Sequence, residues 1–441
     1  MIKILHLSDT HIGSGFQHGT INPKTGLNTR LEDFVATLSR CIDRAIAEPV
    51  DLVLFSGDAF PDATPPPYVQ AKFGEQFRRL ADAEIPTVLL VGNHDQHSQG
   101  EGGASLCIYR TLGVPKFVVG DSIDTHRIET RNGAVQVITL PWLTRSSLLT
   151  RPQTENLSLA EVNKLMIDRL EPVLAAEIRR LDPLVPTVLL GHLMADNATL
   201  GAERLLAVGK GFTLPMSLLN RPCFDYVALG HIHRHQNLNK SNDPPIIYPG
   251  SIERVDFSEE KEDKGFVLIE LERGRAQWEF CPLKVRAFCT IEVDVSKAED
   301  PQAALIKAIG KKDIQDAVVR LIYKLRSEQL DGIDTASLHR ALSSAHTYTI
   351  QAELVSQLAR PRLPELGAGS STTHPLEALK TYLDNRDDLK DIATEMLEAG
   401  QKLLAESEEA WLGTIEEESQ TDNNQHSLLP VGGVDVQLRL L

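Results

Sequence analysis

Val88-Leu89-Leu90-Val91-Gly92-Asn93-His94-Asp95 is the stretch from which the rest of the chain can be read. An apolar run with two valines reads as a buried strand, and it breaks at a glycine into three polar residues able to bind metal or move a proton. Burying such residues without partners would be costly. The same construction recurs at four other places: Ile2 to Leu7 runs into Asp9-Thr10-His11, and Leu52 to Phe55 into Gly57-Asp58. Val185 to Leu190 runs into Gly191-His192, and Tyr226 to Leu229 into Gly230-His231-Ile232-His233.

Between these strands lie helical patterns. Leu31, Phe34, Val35, Leu38, Cys41, Ile42, Ala45 and Ile46 follow the spacing of one helix face, and a second helix is expected from about Val69 to Ala83. Pro61 to Pro67 is expected to be a loop, because three consecutive prolines resist a helix. Strands alternating with helices imply an α/β fold with a mainly parallel sheet. In such sheets ligands sit beyond the carboxyl ends of the strands, where all five motifs fall. Gly100 to Gly103 reads as a flexible loop, Lys116 to Val119 and Val135 to Leu140 as shorter strands, and Leu159 to Arg180 as a helix. From Ile246 to Leu283 short strands and turns suggest a second sheet closing a two-sheet sandwich flanked by helices.

A different rhythm begins near Val285. Strands at Phe288 to Val295, Ala317 to Leu325 and Thr347 to Leu354, separated by helices near Pro301 to Ile309 and Thr335 to Leu342, make a small α+β domain. The expected boundaries are 1–283 for the sandwich, 284–360 for the small domain, 361–375 for a linker rich in Pro, Gly, Ser and Thr, 376–412 for a helical tail and 413–441 for a flexible acidic end. Leu376, Leu379, Tyr382, Leu383, Leu389, Ile392, Met396, Leu397, Leu403 and Leu404 give the tail more apolar surface than a solvated helix needs. Such a helix wants a partner.

No apolar run reaches the roughly 18–20 residues of a membrane span, and residues 1–7 read as a first strand rather than a signal peptide. The five cysteines are odd in number and form no Cys-x-x-Cys pair, which argues against thiolate zinc sites and for the reducing cytoplasm. A net charge of -16 argues against nucleic acid as a partner. Residues 376–422, however, hold 14 Asp and Glu against 4 Lys and Arg, a local balance of -10 that leaves -6 for everything else.

Asp, Asn and His without thiolate suit Mn, Fe or Zn ions. Two ions about 3.5–4 Å apart share a bridging ligand and activate a water for in-line attack on phosphorus. Asp58, with two oxygens at a strand end, suits the bridge, and the remaining ligands divide into Asp9, His11 and His233 on one ion and Asn93, His192 and His231 on the other. His231 and His233 would share one side of an extended segment, yet a turn after Gly230 could send them to different ions; alternation alone leaves both arrangements open. His94 can stand near the ions without ligating and protonate a departing oxygen, with Asp95 as the group that orients its ring. His6 reads as a hydrogen-bonded core residue, while His97 and His235 lie close to motifs without a defined role.

Asp9-x-His11, Gly57-Asp58, Gly92-Asn93-His94-Asp95, Gly191-His192 and Gly230-His231-x-His233 together resemble the signature of the calcineurin-like metallophosphoesterases. Ile4 to His11, Asp225 to His233, Tyr248-Pro249-Gly250-Ser251, Phe257-Ser258-Glu259-Glu260 and Lys264-Gly265-Phe266 narrow the likeness to the SbcD-type nucleases within that family. The resemblance implies cleavage of DNA phosphodiesters with two divalent ions, Mn2+ first and Mg2+, Fe2+ or Zn2+ as alternatives. It implies a 3'-to-5' exonuclease and structure-selective endonuclease in a homodimer, with the small domain as a cap and the tail gripping an SbcC-type coiled-coil ATPase in a heterotetramer. It also implies the ligand division above and His94 acting on substrate. One departure is visible: many members carry an acidic residue or a histidine directly after Gly-Asp-x-Phe, where this chain has Pro61 and then Asp62.

Arg204, Lys210, Arg221 and Arg234, between or beside the histidine motifs, are candidate contacts to a DNA backbone. Two other functions compete: a phosphoesterase for a small or protein substrate on the same core, and a non-catalytic DNA-end-binding subunit. The second is disfavoured because no ligand position is lost.

Overall fold

The computed structural model describes residues 1–97, 103–144, 157–199, 213–241, 243–355, 375–384, 389 and 392–402. The chain divides into two compact units, Met1–Val355 and Ser356–Leu441. The first opens with β1 (Ile2–Leu7), α1 (Thr29–Ala47), β2 (Leu52–Phe55), α2 (Pro67–Asp82), β3 (Thr87–Leu90), α3 (Cys107–Thr111) and β4 (Phe117–Gly120). Then come β5 (Asp124–Thr130), β6 (Gly133–Leu140), α4 (Leu159–Arg179), β7 (Thr187–His192), β8 (Met194–Ala195), β9 (Thr213–Leu214), α5 (Met216–Leu219) and β10 (Tyr226–Gly230). β11 (Gln236–Asn237), β12 (Ile246–Tyr248), β13 (Gly265–Glu272) and β14 (Arg275–Pro282) complete the sandwich.

Two six-stranded sheets, ordered β14-β13-β1-β2-β3-β4 and β11-β12-β10-β7-β6-β5, pack face to face. Alternation within β1 explains the layering. Ile2 and Ile4 point between the sheets with Leu52, Leu54, Val88 and Leu90, whereas Leu5 and Leu7 point outward. That outer face is covered by Phe34, Leu38 and Cys41 of α1 and Phe73, Phe77 and Leu80 of α2. The second sheet is covered by α4, whose Val162, Met166, Leu170 and Leu174 recur every fourth residue. Ser158 and Glu161 close the start of α4 as a capping box.

Three expectations need correction. Pro67 does not lie in a loop: it is the first residue of α2, where a missing N–H costs nothing. β13 and β14 do not found the second sheet; they extend the first, β13 antiparallel to β1 and β14 antiparallel to β13. The second sheet is built from residues between Asp124 and Tyr248, including the polar edge strand β5 that hydrophobicity does not reveal.

Within the same compact unit, β15 (Phe288–Asp294), α6 (Pro301–Ile309), β16 (Val318–Leu325), α7 (Thr335–Ala341) and β17 (Thr347–Leu354) form the small domain. Its three strands are all parallel, so it is a βαβαβ unit with its own apolar core. It is fastened to the sandwich by the bidentate pair of Arg286 with Asp33 at 2.6 and 2.7 Å, and by Phe288 packed on Phe257 at 5.0 Å. In the second unit, α8 (Pro375–Asp384) and residues 393–402 are helical, with Leu383 buried. The expected loop at 100–103 falls on described residues only at Gly103; 361–374 of the linker, the remainder of the tail and the acidic end 413–441 lie outside them. No helix among the described residues is long and apolar enough to cross a membrane.

Candidate metal centre

The carboxyl ends of β1, β2 and β3 in one sheet and of β7 and β10 in the other meet at one rim. The turns that follow are stitched together before any side chain is considered. Asp9 N–H donates to the Gly57 carbonyl at 3.0 Å, and His11 N–H to that of Asp58 at 3.1 Å. His231 N–H donates to both oxygens of Asp9 at 3.0 and 3.1 Å, and His94 N–H to Asp58 Oδ1 at 2.9 Å. Such close approach demands glycine: a Cβ on Gly92 would collide with the Asp58 carboxylate, and one on Gly57 with the His192 ring. Of the eight non-glycine residues with positive φ among those described, four are Asp9, His11, Asp58 and His231. Strain concentrated on the candidate ligands marks a site whose geometry is imposed by its surroundings.

All seven expected ligands converge. Donor atoms of Asp9, His11 and His233 lie within 4.8 Å of one another, and so do those of Asp58, His192 and His231. Asn93 Oδ1 joins the second group, 2.9 Å from His192 Nε2 and 2.9 Å from His231 Nδ1. Asp58 Oδ2 reaches both groups, 3.3 Å from His192 Nε2 and 3.6 Å from His11 Nε2. The alternative left open by the sequence is thereby decided in geometry, since His231 and His233 face different groups.

The donors fit a pair of cations. His192 Nδ1 lies 2.7 Å from the Ser56 carbonyl oxygen and therefore carries the ring proton. In a neutral ring Nε2 is then a bare lone pair, aimed at the Asn93 oxygen, a second acceptor. His233 repeats the pattern, with Nδ1 2.6 Å from Glu259 and Nε2 3.0 Å from His11 Nε2. Lone pairs about 3 Å apart are what ligands bound at about 2.1 Å to one shared ion present. His192, Asn93, His231 and Asp58 would hold one ion, and His11, His233, Asp9 and Asp58 the other.

Electrostatics agree. Burial pushes the Asp9 carboxyl up to about 6, and burial pulls His11 well below its ordinary range and His231 down to about 3. For Asp58 burial works the other way from its neighbours, but the charges of His192 and His94 win and hold its carboxyl well below the usual range. At His192 burial opposes charge, yet the Asp58 carboxylate lifts the ring to about 9. The surroundings of His192 Nε2 thus favour a positive charge, whether proton or metal.

His94 belongs to the same rim, its ring edge-on to His11 at 5.0 Å. Its orienting partner differs from the expected one. Nδ1 lies 2.7 Å from the Pro61 carbonyl oxygen, at the position where this chain departs from the family pattern. Asp95 instead accepts from the N–H groups of Asp58, Ala59 and Gly92, each at 2.9 Å, and clips together the turns after β2 and β3. Adjacency in sequence suggested a ring contact; the backbone of a neighbouring turn holds the carboxylate instead.

Of the basic candidates, Arg204 and Lys210 lie outside the described residues, Arg221 pairs with Glu171 at 3.3 Å, and Arg234 is exposed directly after His233. His6 is a core residue bonded to Ser56 and Tyr226 at 2.9 and 3.2 Å; His97 is exposed, and His235 stacks on Phe280 at 4.0 Å. Two neighbours of the centre escaped the sequence reading. Trp142 lies over His231 at 4.8 Å and has no motif around it. Glu259 sits in a segment whose pattern was visible but whose role was not.

A family model described as calcineurin-like phosphoesterase matches residues 2–235. Among solved structures, a dimetal phosphatase from Danio rerio is 14% identical, with 63% of this chain and 95% of that chain covered and a TM-score of 0.39. A protein from Thermus thermophilus is 14% identical over 63% of this chain and 98% of its own, TM-score 0.35. A purple acid phosphatase from yellow lupin (Lupinus luteus) seeds is 14% identical over 64% and 51%, TM-score 0.37. The family model covers more than half of the 441 residues, a range that includes all seven candidate ligands and His94, and the chain therefore belongs to the calcineurin-like phosphoesterases, hydrolases that use two divalent metal ions.

Proposed function

We propose that this protein is a Mn2+-dependent DNA nuclease, a 3'-to-5' exonuclease and structure-selective endonuclease that works as a homodimer with an SbcC-type ATPase in DNA repair and recombination. The observation that carries the reading is the attachment of the βαβαβ unit to the turn beside the ligand His233, through the Thr290 N–H bond to Glu260 at 3.0 Å. Hydrolysis of a small ester needs no such cap at the rim. The apolar residues of the 376–412 segment, the exposed Ile392 among them, support an ATPase partner.

Two divalent ions bound at the rim would polarise a phosphoryl oxygen and supply a nucleophile at neutral pH. The chain's own contribution begins with Asp95, which fixes the turn carrying Asp58, and with Gly57 and Gly92, which let the turns approach. The Pro61 carbonyl accepts a hydrogen bond from His94 Nδ1–H and fixes the ring. In the imidazolium form, with a second proton on Nε2, that orientation lets Nε2 hand this proton to the departing oxygen of the phosphodiester and leaves the neutral ring with its proton on Nδ1. Arg234, exposed beside the rim, supports a contact to the phosphate backbone.

The net charge of -16 favours a second reading, a phosphoesterase for a small or protein substrate. Mn2+-dependent turnover of bis(p-nitrophenyl) phosphate compared with that of end-labelled linear duplex separates the two. Cleavage of duplex with a marked salt dependence is expected; duplex left intact even with the ATPase partner present, while the small diester turns over, would overturn the nuclease reading.

A further inference from the structure

His233 is gripped at both ends by one buried ion pair. Its Nδ1 lies 2.6 Å from Glu259 Oε1, so the carboxylate fixes the ring proton there and turns Nε2 toward His11. The other carboxylate oxygen takes Lys264 Nζ at 2.8 Å and Val255 N–H at 3.1 Å. Lys264, whose side chain is 0% exposed, donates also to the His233 carbonyl at 3.1 Å and to Glu262 at 2.9 Å. Each ammonium proton and each carboxylate oxygen therefore has a partner, which is the condition under which a buried pair is tolerable.

The turn that carries this pair is held by the small domain. Arg254 spans it, donating to the carbonyls of Glu259 at 3.1 Å and Glu262 at 2.9 Å and, with its remaining nitrogen, to that of Arg286 at 3.0 Å. Thr290 of β15 donates its N–H to Glu260, and Arg320 of β16 lies over the Phe257 ring at 4.4 Å. A continuous set of short polar contacts thus runs from the small sheet to one candidate metal ligand.

We propose that Glu259 and Lys264 are a positioning pair for His233, and that the small domain sets, through them, the affinity of the ion held by Asp9, His11 and His233. The inference rests on the dimetal reading but not on DNA as substrate. A carboxylate on the far nitrogen of a metal-bound histidine fixes ring orientation and raises basicity, and losing it costs about 10- to 100-fold in metal affinity.

The test is Mn2+ titration of the chelator-stripped full chain, read by calorimetry and by the paramagnetic resonance of the bound ions, with thermal unfolding in parallel. For Glu259→Gln the dissociation constant of one ion should rise about 10- to 100-fold while the other stays within about twofold. Adding Lys264→Met removes a buried ammonium that keeps only Glu262 as a carboxylate partner; it should recover part of the unfolding temperature but not the affinity. Glu260→Ala, which releases only the Thr290 contact, should weaken the same ion by a smaller factor. Unchanged constants in Glu259→Gln, equal weakening of both ions, or affinity regained together with stability in the double variant would each overturn the proposal. Failure to cut DNA alongside the expected shifts would count against the nuclease reading and leave this one standing.

Discussion

Replacing Asp95 probes how the centre is built. Its carboxylate is wholly buried and accepts three backbone N–H groups, those of Asp58, Ala59 and Gly92. A buried donor left without a partner costs about 1–3 kcal/mol, so Asp95→Ala is expected to cost about 3–9 kcal/mol, a large part of the roughly 5–15 kcal/mol that holds a domain together. Asp95→Asn can keep its amide oxygen where Oδ2 now serves Asp58 and Gly92, and only Ala59 N–H then faces a donor. Its cost should be about 1–3 kcal/mol. Urea unfolding of the chelator-treated proteins gives the ordering, and metal analysis of the reconstituted proteins gives the consequence for the ions. Asp95→Ala should lose both stability and metal, because the turn bearing Asp58 is released. If that variant matched the native protein within 1 kcal/mol (roughly the net worth of one hydrogen bond) and kept two ions while losing only cleavage, the clip would be wrong and the ring-orienting role read from the sequence would return.

Other perturbations follow from the same geometry. His94→Gln should retain both ions yet lose turnover by at least about 100-fold, since general acid catalysis contributes that much; metal lost on elemental analysis would remove His94 from its non-ligand role. His6, held neutral by burial with its pKa down at about 3, protonates first in the unfolded chain as pH falls below 6.5, so the stability it contributes is complete above 6.5 and declines below it. The advantage of the native protein over His6→Gln in urea unfolding should therefore shrink by about 2 kcal/mol between pH 7 and pH 5, and a gap independent of pH would refute this. Gly57→Ala should destabilise the protein and empty the ion shared by His192 and Asn93, because its methyl group takes the space of the His192 ring; full occupancy would show that the turn can yield. Deleting residues 376–412 should spare cleavage of simple substrates and abolish co-purification with the ATPase, and an unchanged complex would contradict that assignment.

The parts of the fold legible in the sequence are those where one physical demand leaves a local trace. A buried strand that must end in ligands writes an apolar run, a glycine and then Asp, Asn or His, and all five such runs reach the same rim. The helices α1, α2 and α4 announced themselves through one buried face each. What stayed hidden depends on distant pieces of chain. β5 is a polar edge strand with Ile128 as its only aliphatic residue, and the pairing of β13 with β1 joins residues more than 260 positions apart. Asp95 satisfies backbone N–H groups, which no residue type encodes. Glu259 meets His233 across 26 positions, through a turn whose course is set by the small domain. His231 and His233 could not be assigned by alternation because His231 adopts φ 103°, outside the strand geometry on which alternation rests.

Metal stoichiometry of the Mn2+-reconstituted protein and of Asp58→Ala, with the positions of the ions located by anomalous scattering, bears most directly on whether five strand ends build one dinuclear centre. Two ions per chain about 3.5–4 Å apart are expected in the native protein, and loss of both in Asp58→Ala. A single ion, two ions far apart, or full occupancy in Asp58→Ala would contradict it.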